Sequence, residues 1–255
     1  MKYEISGTTL QTVGIDLNAG EEIYSQTSAM AWMTDAIRMN TNTGGGLWQG
    51  IKRSLSGGGL FITTFAAEKN GHIAFASKFP GTIMPVTLKD GEALFCRKET
   101  FLCAEKSVVL DIAFQKNIGA GIFGGQGFIL QRVTGPGTVW LDLSGEVVTK
   151  DLASGERLLV HAGHIGVQSP TVTMDIQMIS GVSNLFFGGE GIFLATLTGP
   201  GRIWLQSMPI INLASAIAQY MPVNNGGRGS GLAATGTVGG LLGLAAMLGD
   251  NERST

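Results

Sequence analysis

The residues of this 255-residue chain whose types could support chemistry are three histidines, two cysteines, a recurring glutamate and two glycine-rich runs. His161-Ala162-Gly163-His164 places two imidazoles close together, and imidazole is a common ligand for zinc and copper. Three-residue spacing in a strand or turn sends the two rings to different faces. No cysteine or carboxylate lies close by, and His72 is the remaining histidine, so no metal site is expected. Gly124-Gly125-Gln126-Gly127 and Gly188-Gly189-Glu190-Gly191 look like phosphate loops. A phosphate loop needs a helix directly after it, so that backbone N–H groups converge on the anion. Here β-type residues follow and no Gly-Lys-Ser/Thr occurs, so these glycines are expected in turns or bulges. Thr63, Ser144, Ser180 and Ser207 sit in no nucleophile-elbow pattern. Glu21, Glu92 and Glu156 recur at one position of a repeat. They either form a ring of carboxylates or satisfy backbone donors of their own turns, and the second placement is expected. No catalytic residue, cofactor or metal is therefore expected.

The elements that must position these residues come from a unit written three times. Gly124-Gly125-Gln126-Gly127-Phe128-Ile129 leads into Thr134-Gly135-Pro136-Gly137-Thr138-Val139-Trp140-Leu141. Gly188-Gly189-Glu190-Gly191-Ile192-Phe193 leads into Thr198-Gly199-Pro200-Gly201-Arg202-Ile203-Trp204-Leu205. A worn copy, Gly57-Gly58-Gly59-Leu60-Phe61-Ile62, leads into Asn70-Gly71-His72-Ile73-Ala74-Phe75. Gly20-Glu21, Gly91-Glu92 and Gly155-Glu156 open the copies, at a period of about 64 to 71 residues, the size of a small β-module. Alternation in Thr138-Val139-Trp140-Leu141-Asp142-Leu143 and Val172-Thr173-Met174-Asp175-Ile176 predicts strands. Gly135-Pro136-Gly137 and Gly199-Pro200-Gly201 read as hairpin turns, with the last glycine tolerating positive φ.

Before each glycine cluster lies an insertion mixing glycine with large apolar residues, over 43–55, 115–123 and 179–187. Around a pseudo-threefold axis these insertions would meet at one pole. They would either plug the module ends or display Trp48, Phe123, Phe186 and Phe187 as an apolar docking rim. Lys52-Arg53, close to Trp48, is a lone basic pair that could meet lipid headgroups or RNA. After Pro209 a helix is predicted, then a glycine-rich linker over 224–231 and an uncharged stretch over 232–248. Gly236, Gly240 and Gly243 give that stretch small-xxx-small spacing, which lets helices approach closely, but it is short for a bilayer span.

Composition narrows the function classes. Apolar residues make up 44%, ample for a core, and charged residues only 14%, which suits self-association, membrane contact or a buried interface. The net charge of −2 exerts no general pull on nucleic acid. Cys96 and Cys103 are seven positions apart, which on one extended strand puts them on opposite faces, so no disulfide is expected. Two cysteines, and no basic, apolar leader at Met1-Lys2-Tyr3-Glu4, suggest a reducing, cytoplasmic setting.

Several phrases together carry a family resemblance: Gly57-Gly58-Gly59-Leu60-Phe61-Ile62 after Ile51-Lys52-Arg53-Ser54-Leu55-Ser56, Phe79-Pro80-Gly81-Thr82-Ile83, Phe101-Leu102-Cys103-Ala104 and Gly163-His164. The strongest is 188–194 running into 198–207. In their order the chain resembles the AIM-type (mitochondrial biogenesis) family of TRAP-like proteins, in its bacterial branch, from about Met1 to Pro209. The resemblance implies a short variant of the double-stranded β-helix, repeated within one chain about a pseudo-threefold axis. Mitochondrial relatives sit at the inner membrane and support its organisation. The attenuator protein that names the fold binds tryptophan and RNA as a ring, but that function would carry over by fold analogy alone. The family motif supplies no catalytic residues.

The expected architecture is all-β. It comprises three tandem TRAP-like sandwich modules (1–82, 83–148 and 149–209), a C-terminal helix (210–222) and a Gly/Ala-rich tail (223–255). The expected function is that of a non-enzymatic scaffold or interaction protein, cytoplasmic or peripheral to a membrane. It would dock on a protein partner or on itself through the apolar pole and the tail. A small-ligand binding β-module is the alternative, recognisable by a pocket lined by equivalent polar groups such as Glu92 or Glu156.

Overall fold

A computed structural model of the chain describes residues 1–26, 29–40, 62–116, 128–179, 192–218 and 220. It is almost entirely β, and every strand pair is antiparallel. The first strands are β1 (Lys2–Ser6), β2 (Thr12–Leu17), β3 (Glu22–Gln26), β4 (Met30–Met33), β5 (Ile37–Asn40), β6 (Ile62–Ala67) and β7 (Gly71–Ala76). Then come β8 (Gly81–Leu88), β9 (Ala93–Arg97), β10 (Phe101–Glu105), β11 (Val109–Lys116), β12 (Phe128–Thr134) and β13 (Gly137–Ser144). The last are β14 (Val147–Leu152), β15 (Arg157–His161), β16 (Ile165–Gln168), β17 (Thr173–Ile179), β18 (Ile192–Thr198) and β19 (Gly201–Gln206), followed by helix α1 (Ile210–Ala218).

One pairing scheme recurs in three sets of strands. Within β2–β7, β2 and β4 flank β7, while β3 and β5 flank β6. In β8–β13, β8 and β10 flank β13, and β9 and β11 flank β12. In β14–β19, β14 and β16 flank β19, and β15 and β17 flank β18. Each set is thus a sandwich of two three-stranded layers, and β1 adds one strand beside β2. Successive sets then share sheets. β3 pairs with β10, and β9 pairs with β16, giving the six-stranded sheets β5-β6-β3-β10-β13-β8 and β11-β12-β9-β16-β19-β14. The ladders join the sets in a row.

Alternation puts one face of each strand into a core. Val13, Ile15, Ile23, Phe65, Ile73 and Phe75 fill the first core, which Leu102, Cys103 and Trp140 enter from the second set. The second core takes Tyr24 from the first set and Val167 from the third, and the third takes Phe128 and Leu130 from the second. Burying a side chain as large as Trp140, fully enclosed here, is worth about 2–3 kcal/mol of transfer free energy, so each joint is apolar as well as hydrogen-bonded.

Two turn devices fix the strand ends. Gly20, Gly91 and Gly155 have φ of 88°, 75° and 77°, conformations that glycine adopts without cost. The glycine–proline corners differ from the expected hairpins. β12 and β13 lie in different sheets, as do β18 and β19, so Gly135-Pro136-Gly137 and Gly199-Pro200-Gly201 carry the chain from one layer to the other. The antiparallel partner of β12 is β11 on one side and β9 on the other, which leaves no edge for β13. The peptide bonds before Pro136 and Pro200 are cis, and Gly137 and Gly201 have φ of 131° and 145°. A Cβ on Gly201 would lie 2.6 Å from Thr171 Oγ1, whereas one on Gly20 would meet nothing within 4 Å. Gly20→Ala is therefore expected to cost about 1 kcal/mol, from backbone alone. Gly201→Ala adds a collision and is expected to cost more, up to about 3 kcal/mol. Urea unfolding midpoints check the order, and equal midpoints for the two variants would contradict this account of the corner.

Candidate functional site

The repeated glutamates are spent on their turns. Glu21, Glu92 and Glu156 each accept, through Oε2, a hydrogen bond from the backbone N–H three residues earlier, that of Asn18, Lys89 and Ala153, at 2.8 Å in all three copies. None of the three lines the cavity at the second joint.

A cavity of about 260 Å³ lies at the second joint, where β9, β13 and β19 end beneath the start of α1. Its lining includes Arg97, Glu99, Thr100, Asp142, Ser144 and Gln206, with Pro209, Ile210 and Ala214 closing the helix side. Pro209 ends the strand region, and its carbonyl accepts the N–H groups of Asn212 and Leu213, which starts the helix over the opening.

Arg97 closes β9, and its side chain is almost wholly buried. The guanidinium pairs with Glu99 at 3.0 Å, donates to the Ala162 carbonyl at 3.4 Å and lies 4.8 Å from the centre of the Phe128 ring. Pairing of this kind is what lets a charge remain inside. Gln26, at the end of β3, makes the corresponding reach across the first joint, donating to the Lys98 carbonyl at 2.6 Å. Gln206 binds both walls, accepting from Ser144 N–H at 3.1 Å and donating to the Gly163 carbonyl at 2.9 Å. Asp142 accepts from Ser77 Oγ at 2.7 Å, and burial holds its carboxyl above the usual carboxylate range against that bond and Lys78. The arrangement brings a paired buried cation, hydroxyls and a protonatable carboxyl to one largely apolar cavity.

The histidines come together, contrary to expectation. A 3₁₀ turn over Ala162–His164 brings the His161 and His164 rings to 5.7 Å, edge to face. Tighter winding than a strand's places positions three apart on one side. His164 Nδ1 is held by the Gln206 carbonyl at 2.8 Å, and burial lowers the affinity of His161 for a proton, helped by His164 and Arg97. Among the described residues no third metal-ligating side chain joins them. Cys96 and Cys103 are free, as expected, but for a different reason: a 3₁₀ turn over Lys98–Thr100 puts them on separate strands. Burial pushes the Cys96 thiol up to about 12 and that of Cys103 well above its ordinary value, so neither is a thiolate nucleophile at neutral pH. Thr63 and Ser144 are buried, and Ser207 Oγ accepts the Glu146 N–H at 2.8 Å.

The glycine–proline corners, the turn glutamates and this joint cavity belong to a chain that also matches a known family model over residues 3–208, as mitochondrial biogenesis AIM24. The chain belongs to the AIM24 family. It is 31% identical over 222 residues to an uncharacterized protein of Streptococcus pyogenes serotype M6, covering 84% of this chain and 88% of that one. It is also similar to a crystal structure of a Streptococcus pyogenes protein, with a TM-score of 0.70 at 26% identity, over 86% of this chain and 99% of the other.

Trp48, Phe123, Phe186, Phe187, Gly236, Gly240 and Gly243, the contacts expected from the sequence, lie outside the described residues, as do Lys52, Arg53 and Ser180. No helix among the described residues is long and apolar enough to cross a membrane. Sequence reasoning names Ser144 as a hydroxyl without a nucleophile elbow, and Gly163 and Gln206 within the family phrases, but places none of them in a cavity. A signal was present, since Asp142 and Gln206 both follow the repeated Trp-Leu, and Gln26 and Arg97 both end the strand that Gly-Glu opens.

Because the Asp142 carboxyl holds its proton more tightly in the fold than in the unfolded chain, its contribution to stability is greatest in acid. That contribution falls as pH rises from the ordinary carboxylate value through the raised one. Asp142→Asn is expected to remove that fall and to exceed the natural protein in melting temperature at neutral pH but not in acid. A difference between the two proteins that does not change with pH would contradict this.

Proposed function

We propose that this AIM24-family protein is a non-enzymatic interaction protein, a stiff β scaffold that presents apolar loops at one pole and a small-residue tail. Its partner is a membrane-associated protein or further copies of the chain, met in the cytoplasm or at a membrane surface. One observation carries the proposal. The three glycine-rich apolar insertions join the same two strands of each set, β5 to β6, β11 to β12 and β17 to β18, which pair as antiparallel neighbours. They therefore leave the scaffold from corresponding strand ends. Carried from these corresponding strand ends, Trp48, Phe123, Phe186 and Phe187 would gather on one surface, and Gly236, Gly240 and Gly243 would let the tail pack closely on the partner.

Fractionation of native cell extract tests this. The full-length chain is expected in a membrane-bound or partner-bound pool of that extract. A chain stopped after Pro222, and one carrying Phe186→Asp with Phe187→Asp, are expected to leave that pool with unchanged circular dichroism. An apolar side chain withdrawn from a contact is worth ~1.5–3 kcal/mol, so the double substitution should weaken docking at least about tenfold. If both variants fractionate like the natural protein, the proposal fails.

The joint cavity favours a second reading, a small-ligand module. Asp142 and Gln206 meet there from equivalent strand positions, close to buried Arg97. Small polar and anionic compounds are then expected to raise the melting temperature of the natural protein but not of Ala214→Trp, which fills the cavity from α1. A compound library that shifts neither removes this reading.

A further inference from the structure

Two strands are left over when the pairing scheme is followed through the chain. At the first joint the strand after the 3₁₀ turn of one set, β10, adds to β3 of the set before it. At the second joint β16 adds to β9 in the same way. Among the described residues β4 occupies the place of β10 and β16 with no set before it, and β15 occupies the place of β3 and β9 with no set after it. Among these residues β4 ladders with β7 alone and β15 with β18 alone. The described residues therefore hold one half-joint of each kind, and these two halves are complementary.

The bulges make the equivalence residue by residue. β10 pairs with β13 as Phe101↔Leu141, then, after a register shift, Cys103↔Trp140 and Ala104↔Val139. β16 repeats this as Ile165↔Leu205, Val167↔Trp204 and Gln168↔Ile203. β4 does so as Met30↔Phe75, Trp32↔Ala74 and Met33↔Ile73. The bulge does not prevent β10 and β16 from pairing outward, so it does not protect the edge of β4 either. Trp32 thus stands where Cys103 and Val167 stand, and Leu159 stands where Tyr24 and Phe95 stand. The burial follows the pairing. Cys103, Val167 and Tyr24 are fully enclosed in joints and Phe95 is half-buried, whereas Trp32 is 54% and Leu159 is 66% exposed. β4 carries no charge and no proline, the usual devices that blunt an open edge.

We infer that the β4 edge of one copy of this chain adds to the β15 edge of another, head to tail, extending the row of sets across molecules. In the register of the first joint, where Cys103 faces Ser25 and Ala104 faces Tyr24, Trp32 of one copy faces Val160 of the next and Met33 faces Leu159. A joint between two different edges of the same molecule is heterologous, so repetition closes a ring or extends a filament. The joint is made by β4 and β15 and uses no residue of the insertions or the tail, so its test separates from theirs.

The full-length chain carrying Met33→Cys and Leu159→Cys, mildly oxidised, is expected to form covalent dimers and higher multiples through these two sites; the natural Cys96 and Cys103 are buried. A monomer with the bond inside one chain would overturn the inference by showing self-closure. A monomer with both new thiols reduced would overturn it by showing a different cover. Trp32→Lys blocks one edge and Leu159→Lys the other, at exposed positions outside the cores. Each alone is expected to lose self-association at least tenfold and to sediment as a monomer, while an equimolar mixture gives a dimer and nothing larger, since one intact joint remains. A mixture that stays monomeric overturns the inference. Assembly should also survive the stop after Pro222 combined with Phe186→Asp and Phe187→Asp. Its loss there would overturn the edge joint and assign assembly to the pole.

Discussion

Antiparallel hydrogen bonding across the joints, β3 to β10 and β9 to β16, is the interaction on which the remaining structure depends. A three-stranded layer has two edges, and a lone small sandwich would leave them open to solvent. Sharing one sheet between two sets removes an edge from each and lets large side chains cross into the neighbouring core. Trp140 enters the first core and Tyr24 the second, where its hydroxyl donates to the Val108 carbonyl at 2.9 Å. The same joints align the polar strand ends, which is why Gln26 and Arg97 both reach the 3₁₀ turn of the following set, and a cavity with Arg97 in its lining lies at the second of these places.

What was legible in the sequence is what local chemistry decides. A Gly-Glu pair after a small or acidic residue specifies one turn, because glycine supplies the positive φ and the carboxylate reaches back three residues. All three copies do this with the same bond. Alternation and β-branched runs likewise identified an all-β chain, since strand period and turn residues need no distant partner, whereas the AIM24 family was carried by specific phrases such as 188–194 running into 198–207. The reading failed wherever a short 3₁₀ turn replaced the extended geometry assumed for it. His161 and His164 then share a side, and Cys96 and Cys103 belong to different strands.

The cavity and the layer-crossing corners were not legible, because both follow from pairings between residues far apart in sequence. Arg97 lies beside the Ala162 carbonyl only because β9 takes β16 as a neighbour. Thr134-Gly135-Pro136-Gly137 resembles a hairpin until both edges of β12 are taken by β9 and β11. The site is therefore built by the joints rather than by any one motif, and the partly exposed Glu99 keeps the buried Arg97 guanidinium paired there.

Native-state hydrogen exchange on the full-length protein tests the central claim, that shared sheets bind the three sets into one cooperative body. If they do, amides of β3, β10, β9 and β16 are the slowest to exchange and open with a single free energy, equal to that of global unfolding and carrying the same denaturant dependence. If the three sets exchange with separate free energies, and the joint strands open before the strands within each set, the joints are contacts between independent units and the account is wrong.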